Sequence, residues 1–247
     1  MLSIKGAYDG ATQSPTASSE QIRASVNECL TLLDGTKSID LFEPARVDPN
    51  VPIEETVKAL AELVEEGKIG SYGLSEVNAQ TVRRAHAVHP PAAVEIELSL
   101  FSQGALEEAG VVDTCRELGI PIVGYSPLDR GWLTGQFKTL DDIPQDDFRR
   151  FYPRFQPGNF EKNVELAGAV EKVAKKKGVT SAQVAIAWVQ QQGVLPIPGS
   201  TKVERVLENT KYVELTEAET EELHEALSKA HVSGHRYPEM FQAHLDK

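Results

Sequence analysis

The feature that most restricts the fold is a unit repeated three times: a helix-like stretch ends at glycine, and an apolar run and a polar loop follow. It occurs at Glu65-Glu66-Gly67-Lys68-Ile69, Glu117-Leu118-Gly119-Ile120 and Gln191-Gln192-Gly193-Val194. Glycine just past a helix adopts the left-handed conformation that closes the last turn. The short apolar run behind it has the length and bounds of a strand. Parallel strands need a crossover, and a helix is the usual one, so this punctuation predicts a parallel α/β fold.

Apolar runs place strands at 2–5, 39–42, 69–74, 92–98, 120–125 and 194–197. The first helix opens with a capping box at Ser18-Ser19-Glu20-Gln21 and lines up Ile22, Val26, Cys29, Leu30 and Leu33. The next runs from Pro52 to Gly67 with Val57, Leu60, Ala61 and Val64 inward. Further helices are expected at 79–88, 106–118, 161–177, 181–192, 203–209 and 216–230. Residues 126–160 hold Pro127, Pro144, Pro153 and Pro157 and read as a long irregular stretch, the length of a lid or binding loop. No low-complexity linker divides the chain, so residues 1–247 are expected to form one domain. Six strands are two short of a closed (β/α)₈ TIM barrel, and the first begins at the second residue. The chain therefore reads as such a barrel lacking its first two strand–helix units, incomplete at its N-terminus.

A net charge of −12 with no basic block argues against a nucleic acid or an anionic membrane surface as partner. Any anion must then be held by a local cluster. Cys29 and Cys115 lie in helical stretches and are expected to be buried thiols. Neither a signal peptide nor a membrane span is legible, which makes a cytoplasmic location the expectation.

Ligands of parallel α/β proteins bind at the carboxyl ends of the strands. Two segments place small, hydroxylated and cationic groups there: Gly124-Tyr125-Ser126-Pro127-Leu128-Asp129-Arg130-Gly131 and Ile197-Pro198-Gly199-Ser200-Thr201-Lys202-Val203-Glu204-Arg205. Further strand-end motifs are Ile4-Lys5, Gly73-Leu74-Ser75-Glu76, Val94-Glu95-Ile96-Glu97-Leu98-Ser99-Leu100-Phe101 and Gly131-Trp132-Leu133-Thr134-Gly135. Together and in this order the chain resembles the aldo-keto reductases over essentially its whole length. The resemblance implies a barrel that reduces aldehydes and ketones with NADPH. By position, Lys5 matches the active-site lysine, whose cation lowers the pKa of a proton-donating tyrosine. Tyr125 matches the aromatic that stacks on the nicotinamide. Ser75 and Glu95 match the grip on the carboxamide, where the family's Asn and Gln are replaced here by Glu76 and Glu95. A carboxylate accepts from an amide NH₂ but donates nothing unless protonated. Ser126, Leu128 and Arg130 match the belt over the pyrophosphate. Gly199, Ser200, Lys202 and Arg205 match the clamp on the 2′-phosphate, with Glu208 and Asn209 beside the adenine. Without the resemblance, Lys5 is a solvated strand-end lysine, Tyr125 a core tyrosine with a wet hydroxyl, and 203–209 a surface helix of mixed charge.

Two departures accompany the matches. Ala45 stands where the family carries its catalytic histidine, leaving Glu43 or Arg46 to compensate. The family's catalytic Tyr and Asp precede the strand of Lys5, in sequence not present here. On that reading the isolated chain is expected to be nearly inactive, since losing a general acid costs ~10²–10⁴-fold. His86 and His89 have a metal-compatible spacing but no carboxylate or thiolate with a recognisable place beside them, and His231, His235 and His244 read as solvated tail residues. The stretches Glu43-Pro44-Ala45-Arg46-Val47-Asp48-Pro49-Asn50 and Ala85-His86-Ala87-Val88-His89-Pro90 look most like fungal pyridoxal reductases, which implies as small-molecule carbonyl substrate a bulky aromatic aldehyde of vitamin B6 type. The competing expectation is a protein that binds NADPH without turning substrate over, or a shortened product with no function of its own.

Overall fold

The structure, a computed structural model, describes residues 1–229, 231–242 and 245. They divide into two compact units, one built from 1–96 and 105–123 and the other from 97–104 and 124–242.

The first unit follows strands with helices. Its elements are β1 (Ser3–Gly6), a two-residue hairpin of β2 (Tyr8–Asp9) and β3 (Ser14–Pro15), α1 (Ser19–Leu33), β4 (Leu41–Pro44), α2 (Ile53–Glu65), β5 (Gly73–Ser75), α3 (Ala79–Val88), β6 (Ala93–Glu97), α4 (Val111–Leu118) and the start of β7 (Ile122–Tyr125). β1 pairs with β4 in parallel, setting Lys5 opposite Glu43. β5 pairs with β6 in parallel, setting Ser75 opposite Glu95. Parallel bridges Ile39–Ile69 and Phe42–Tyr72 link the β4 and β5 segments. The three glycines of the repeated unit, Gly67, Gly119 and Gly193, all take φ near +70°, as their helix-ending place demands. Leu60 and Leu63 of α2 and Val82 and Ala85 of α3 are buried together with Phe42, Leu74 and Val94 of the strands. Burying one such large aliphatic side chain stabilises by about 1.5–3 kcal/mol.

Three expectations are corrected here. α4 begins at Val111, not 106, because Ala109 is left-handed (φ 57°) and Gly110 is the N-cap, which leaves Leu106 in a 3₁₀ turn. The second half of α1 lies near the surface, so Cys29 is only half-buried, whereas Cys115 is buried and burial pushes its thiol up to about 11. Of the face expected on α2, Ala61 and Val64 are half-buried and Leu63 takes the inner position.

In the second unit, the irregular stretch 126–160 is a chain of 3₁₀ turns (Asp129–Thr134, Leu140–Asp142, Phe148–Phe151 and Pro153–Phe155). The turns close on Trp132, whose ring centroid is 4.8 Å from those of Phe155 and Phe160. Arg154 is buried with them. It donates to Asp129 Oδ2 at 2.5 Å, to Ser102 Oγ at 2.9 Å and to the carbonyl of Phe101 at 3.0 Å. α5 (Phe160–Lys177), α6 (Ser181–Gln191), β8 (Leu195–Pro196), α7 (Val203–Asn209), α8 (Glu217–Lys229) and α9 (Glu239–Gln242) complete the unit. The Ile197 amide donates to the Gly124 carbonyl at 3.0 Å, tying the chain after β8 to β7. Among the described residues no helix is long and apolar enough to cross a membrane. His244 lies outside the described residues.

Candidate functional site

A groove of about 650 Å³ runs through the second unit, within the size range of small-molecule sites. One wall is the exit from β7, where Tyr125, Ser126, Leu128 and Arg130 line it; the other is the approach to α7, with Gly199, Ser200, Arg205, Glu208 and Asn209. Segments some seventy residues apart in the chain are thus brought face to face, as the strand-end motifs imply. The first wall is built from unusual backbone. Ser126, Asp129 and Arg130 are all left-handed, with φ of 52°, 45° and 56°, before Gly131 at 102°. Non-glycine residues in that region cost free energy, and such outliers gather at ligand sites. Gly124 is required for a different reason: a Cβ there would stand 2.9 Å from Cγ1 of Val194.

The second wall is lighter. No residue of α7 is buried, and Val203 and Leu207 face solvent. Glu208 is nonetheless held, its carboxylate accepting from Thr180 Oγ1 at 2.9 Å and its carbonyl from Gln183 Nε2 at 3.2 Å. Ser200 Oγ accepts from the Lys202 amide at 3.1 Å, shaping the turn into the helix. Lys202 itself is exposed and does not line the groove, so of the expected phosphate clamp Arg205 is the cation that does. Four lining residues were not legible in advance: Gln136, Arg149, Thr180 and Ala182. Thr180 carried a signal, since Thr180 and Gln183 form a capping box at the start of α6. Arg149 carried none, because only the folding of the 3₁₀ turns brings it to the groove.

Arg130 is less free than the sequence suggests. Its Nη1 donates to Glu97 Oε1 at 2.8 Å and approaches Asp129 Oδ1 at 3.3 Å, and its side chain is 11% exposed.

Lys5, Ser75 and Glu95 lie in the first unit. Lys5 Nζ is 3.0 Å from Glu43 Oε2 and 2.5 Å from Glu95 Oε1. The Lys5 cation is therefore paired with two carboxylates, and Glu95 is one of its ion-pair partners. Burial raises the Glu43 carboxyl to about 6, Lys5 opposes that rise and the charge of Glu95 adds to it. Ser75 Oγ is buried with no hydrogen-bond partner. The Ala45 amide donates to the Gly6 carbonyl, and Arg46 turns back to donate to the carbonyl of Ala45. Arg46 thus spends its guanidinium on the backbone, while Glu43 is engaged by Lys5. Among the described residues, no three His, Cys, Asp or Glu side chains gather as a metal site. His89 is instead beside Tyr72, whose hydroxyl donates to the His89 carbonyl.

The aldo/keto reductase family model matches residues 1–228. The chain belongs to the aldo/keto reductase family. The chain is 41% identical over 255 residues to "Probable pyridoxal reductase 2" of Schizosaccharomyces pombe, covering 99% of this chain and 76% of that protein. It is 46% identical over 224 residues to "Probable aldo-keto reductase 1" of Glycine max, covering 89% of this chain and 64% of that one. Among solved structures, a glycerol dehydrogenase of Gluconobacter oxydans aligns with TM-score 0.79 at 28% identity, covering 87% of this chain and 66% of its own. A thermostable aldo-keto reductase solved with the inhibitor epalrestat aligns with TM-score 0.67 at 23% identity, covering 85% and 67%. The chain thus shares the α/β fold of the family while spanning about two thirds of the length of these solved relatives.

Proposed function

We propose that this chain binds NADPH along the groove and serves the reduction of an aldehyde or ketone to an alcohol. The observation that carries the reading is the groove itself, which joins an aromatic ring, a left-handed turn and an arginine with a hydroxyl-rich approach. Its residues suit an extended phosphorylated dinucleotide. Tyr125 offers a flat face for a ring, and Arg130 a cation for the pyrophosphate. Arg205 and Ser200 offer a cation and a hydroxyl for a 2′-phosphate, and Asn209 and Glu208 polar groups for a base. When bound, the dihydronicotinamide supplies the hydride. By motif position we assign Lys5 to the carbonyl end and Ser75 and Glu95 to the carboxamide. The unpartnered hydroxyl of Ser75 retains its full hydrogen-bonding capacity for that role. Paired with two carboxylates, Lys5 acts as a hydrogen-bond donor whose field is largely neutralised, so it assists a neighbouring proton donor less than a bare ammonium would.

For the carbonyl substrate we propose pyridoxal, reduced to pyridoxine, on the strength of the Glu43–Asn50 sequence and the likeness to the fission-yeast protein. Fluorescence titration with NADPH tests the cofactor, and loss of NADPH absorbance with pyridoxal tests the substrate. The expected result is saturable NADPH binding that favours NADPH over NADH. An absence of binding would remove the reductase reading.

A further inference from the structure

Tyr237 lies beyond residue 228, where the match to the family model ends, yet it touches both functional ends of the first groove wall. Its hydroxyl is 3.0 Å from the Tyr125 hydroxyl. Its ring lies 4.6 Å from the guanidinium carbon of Arg130. The same guanidinium lies 4.7 Å from the ring of Tyr152. The two rings meet at 5.9 Å and 53°, so they form a notch with Arg130 seated in it. Behind the notch, Glu97 accepts from Arg130 at 2.8 Å and lies 3.5 Å from Arg236. The Arg130 side chain donates to Glu97 and Asp129 through Nη1. Arg130 lines the groove.

A guanidinium is planar and donates through its edge while aromatic rings hold its faces. Fixing the plane in advance removes the ordering cost of the side chain when an anion arrives. Glu97 sets its rotation from one side and leaves the remaining edge for a ligand.

We propose that Tyr237 and Tyr152 form an aromatic clasp that positions Arg130 as an anion grip for the cofactor's pyrophosphate, and that Tyr237 couples this grip to the ring of Tyr125. Tyr237 is thus a positioning residue, acting through Arg130 and Tyr125. The proposal rests on the reading of the groove as a dinucleotide site.

The test uses the full chain and two probes: NADPH, and 2′-phospho-ADP-ribose, which has the pyrophosphate but no nicotinamide. Tyr237→Leu removes the ring face and the hydroxyl, and should weaken both probes about tenfold. Tyr237→Phe keeps the face and loses the hydroxyl, and should weaken NADPH about threefold while leaving 2′-phospho-ADP-ribose within about twofold. Arg130→Lys, with no planar face to clasp, should resemble Tyr237→Leu for both probes. Equal binding by wild type and Tyr237→Leu overturns the proposal. A third readout needs no ligand: the ¹⁵N-labelled Arg130 side chain in the apo protein should rotate faster in Tyr237→Leu and in Tyr152→Leu than in wild type. If wild type binds neither probe, the cofactor reading fails, and the clasp still stands or falls on that rotation rate alone. Unchanged rotation in both variants overturns it.

Discussion

A Cβ added at Gly73 would stand 3.0 Å from Oε1 of Glu43, so the buried carboxyl of Glu43 occupies space that only glycine leaves. That oxygen has no hydrogen-bond partner, and the other one is held by Lys5. Gly73→Ala should therefore destabilise the protein by about 1–3 kcal/mol, the usual cost of overpacking. The double variant Gly73→Ala/Glu43→Ala should recover part of that loss. Urea unfolding of the four proteins in a double-mutant cycle checks the coupling, and additive effects would disprove it.

Glu43 should also make stability depend on pH. Its folded pKa is about 6 against an ordinary 4.5, raised mainly by burial. The folded state therefore holds the proton more tightly than the unfolded one. Its stabilising contribution is complete below about pH 4.5 and is lost as pH rises through about 6, a change of about 2 kcal/mol. Glu43→Gln should flatten this slope. Thermal melts across that range, compared between the two proteins, measure it.

Arg205 and Lys202 should separate in their effects. Arg205 lines the groove and Lys202 does not. Arg205→Ala should weaken NADPH by roughly ten- to a hundredfold, the value of a charge-assisted hydrogen bond, with much less effect on NADH. Lys202→Ala should change either by less than about fivefold, as an exposed charge does. Paired fluorescence titrations with the two cofactors decide, and the reverse order would reassign the phosphate clamp.

Arg154→Met should cost about 3–5 kcal/mol, because it removes the 2.5 Å partner of buried Asp129 and leaves it only Arg130 at 3.3 Å. Asp129→Asn/Arg154→Met should be less damaging than the single change. Calorimetric melting of the three proteins tests this.

How far the sequence could be read varies with the kind of signal. α3 is placed residue for residue, since Asn78 caps it by accepting from the Thr81 amide at 2.8 Å and its apolar face is regular. α7 is equally clear from its length and flanks. The β2–β3 hairpin was not foreseen, although Asp9-Gly10 carried a turn signal and Asp9 accepts from the Ala11 amide and Thr12 hydroxyl. Two-residue strands leave no alternation to detect. The groove's polar ends followed from strand-end motifs, whereas the pairing of Lys5 with Glu43 and Glu95 depends on strand register across 38 and 90 residues of chain. Arg149, Tyr152 and Tyr237 reach their positions only through the packing of the 3₁₀ turns and the C-terminal segment, which no local pattern encodes.

The burial of Arg154 has a mechanical consequence. Because it ties the Pro153–Phe155 turn to Asp129, Ser102 and the Phe101 carbonyl, the Tyr125 wall behaves as a fixed jaw. The α7 wall, with no buried residue in its helix, is the loose jaw. Admission and release of a long ligand would then be borne by the segment 197–209, and amide hydrogen exchange there should outpace exchange around Trp132 by orders of magnitude.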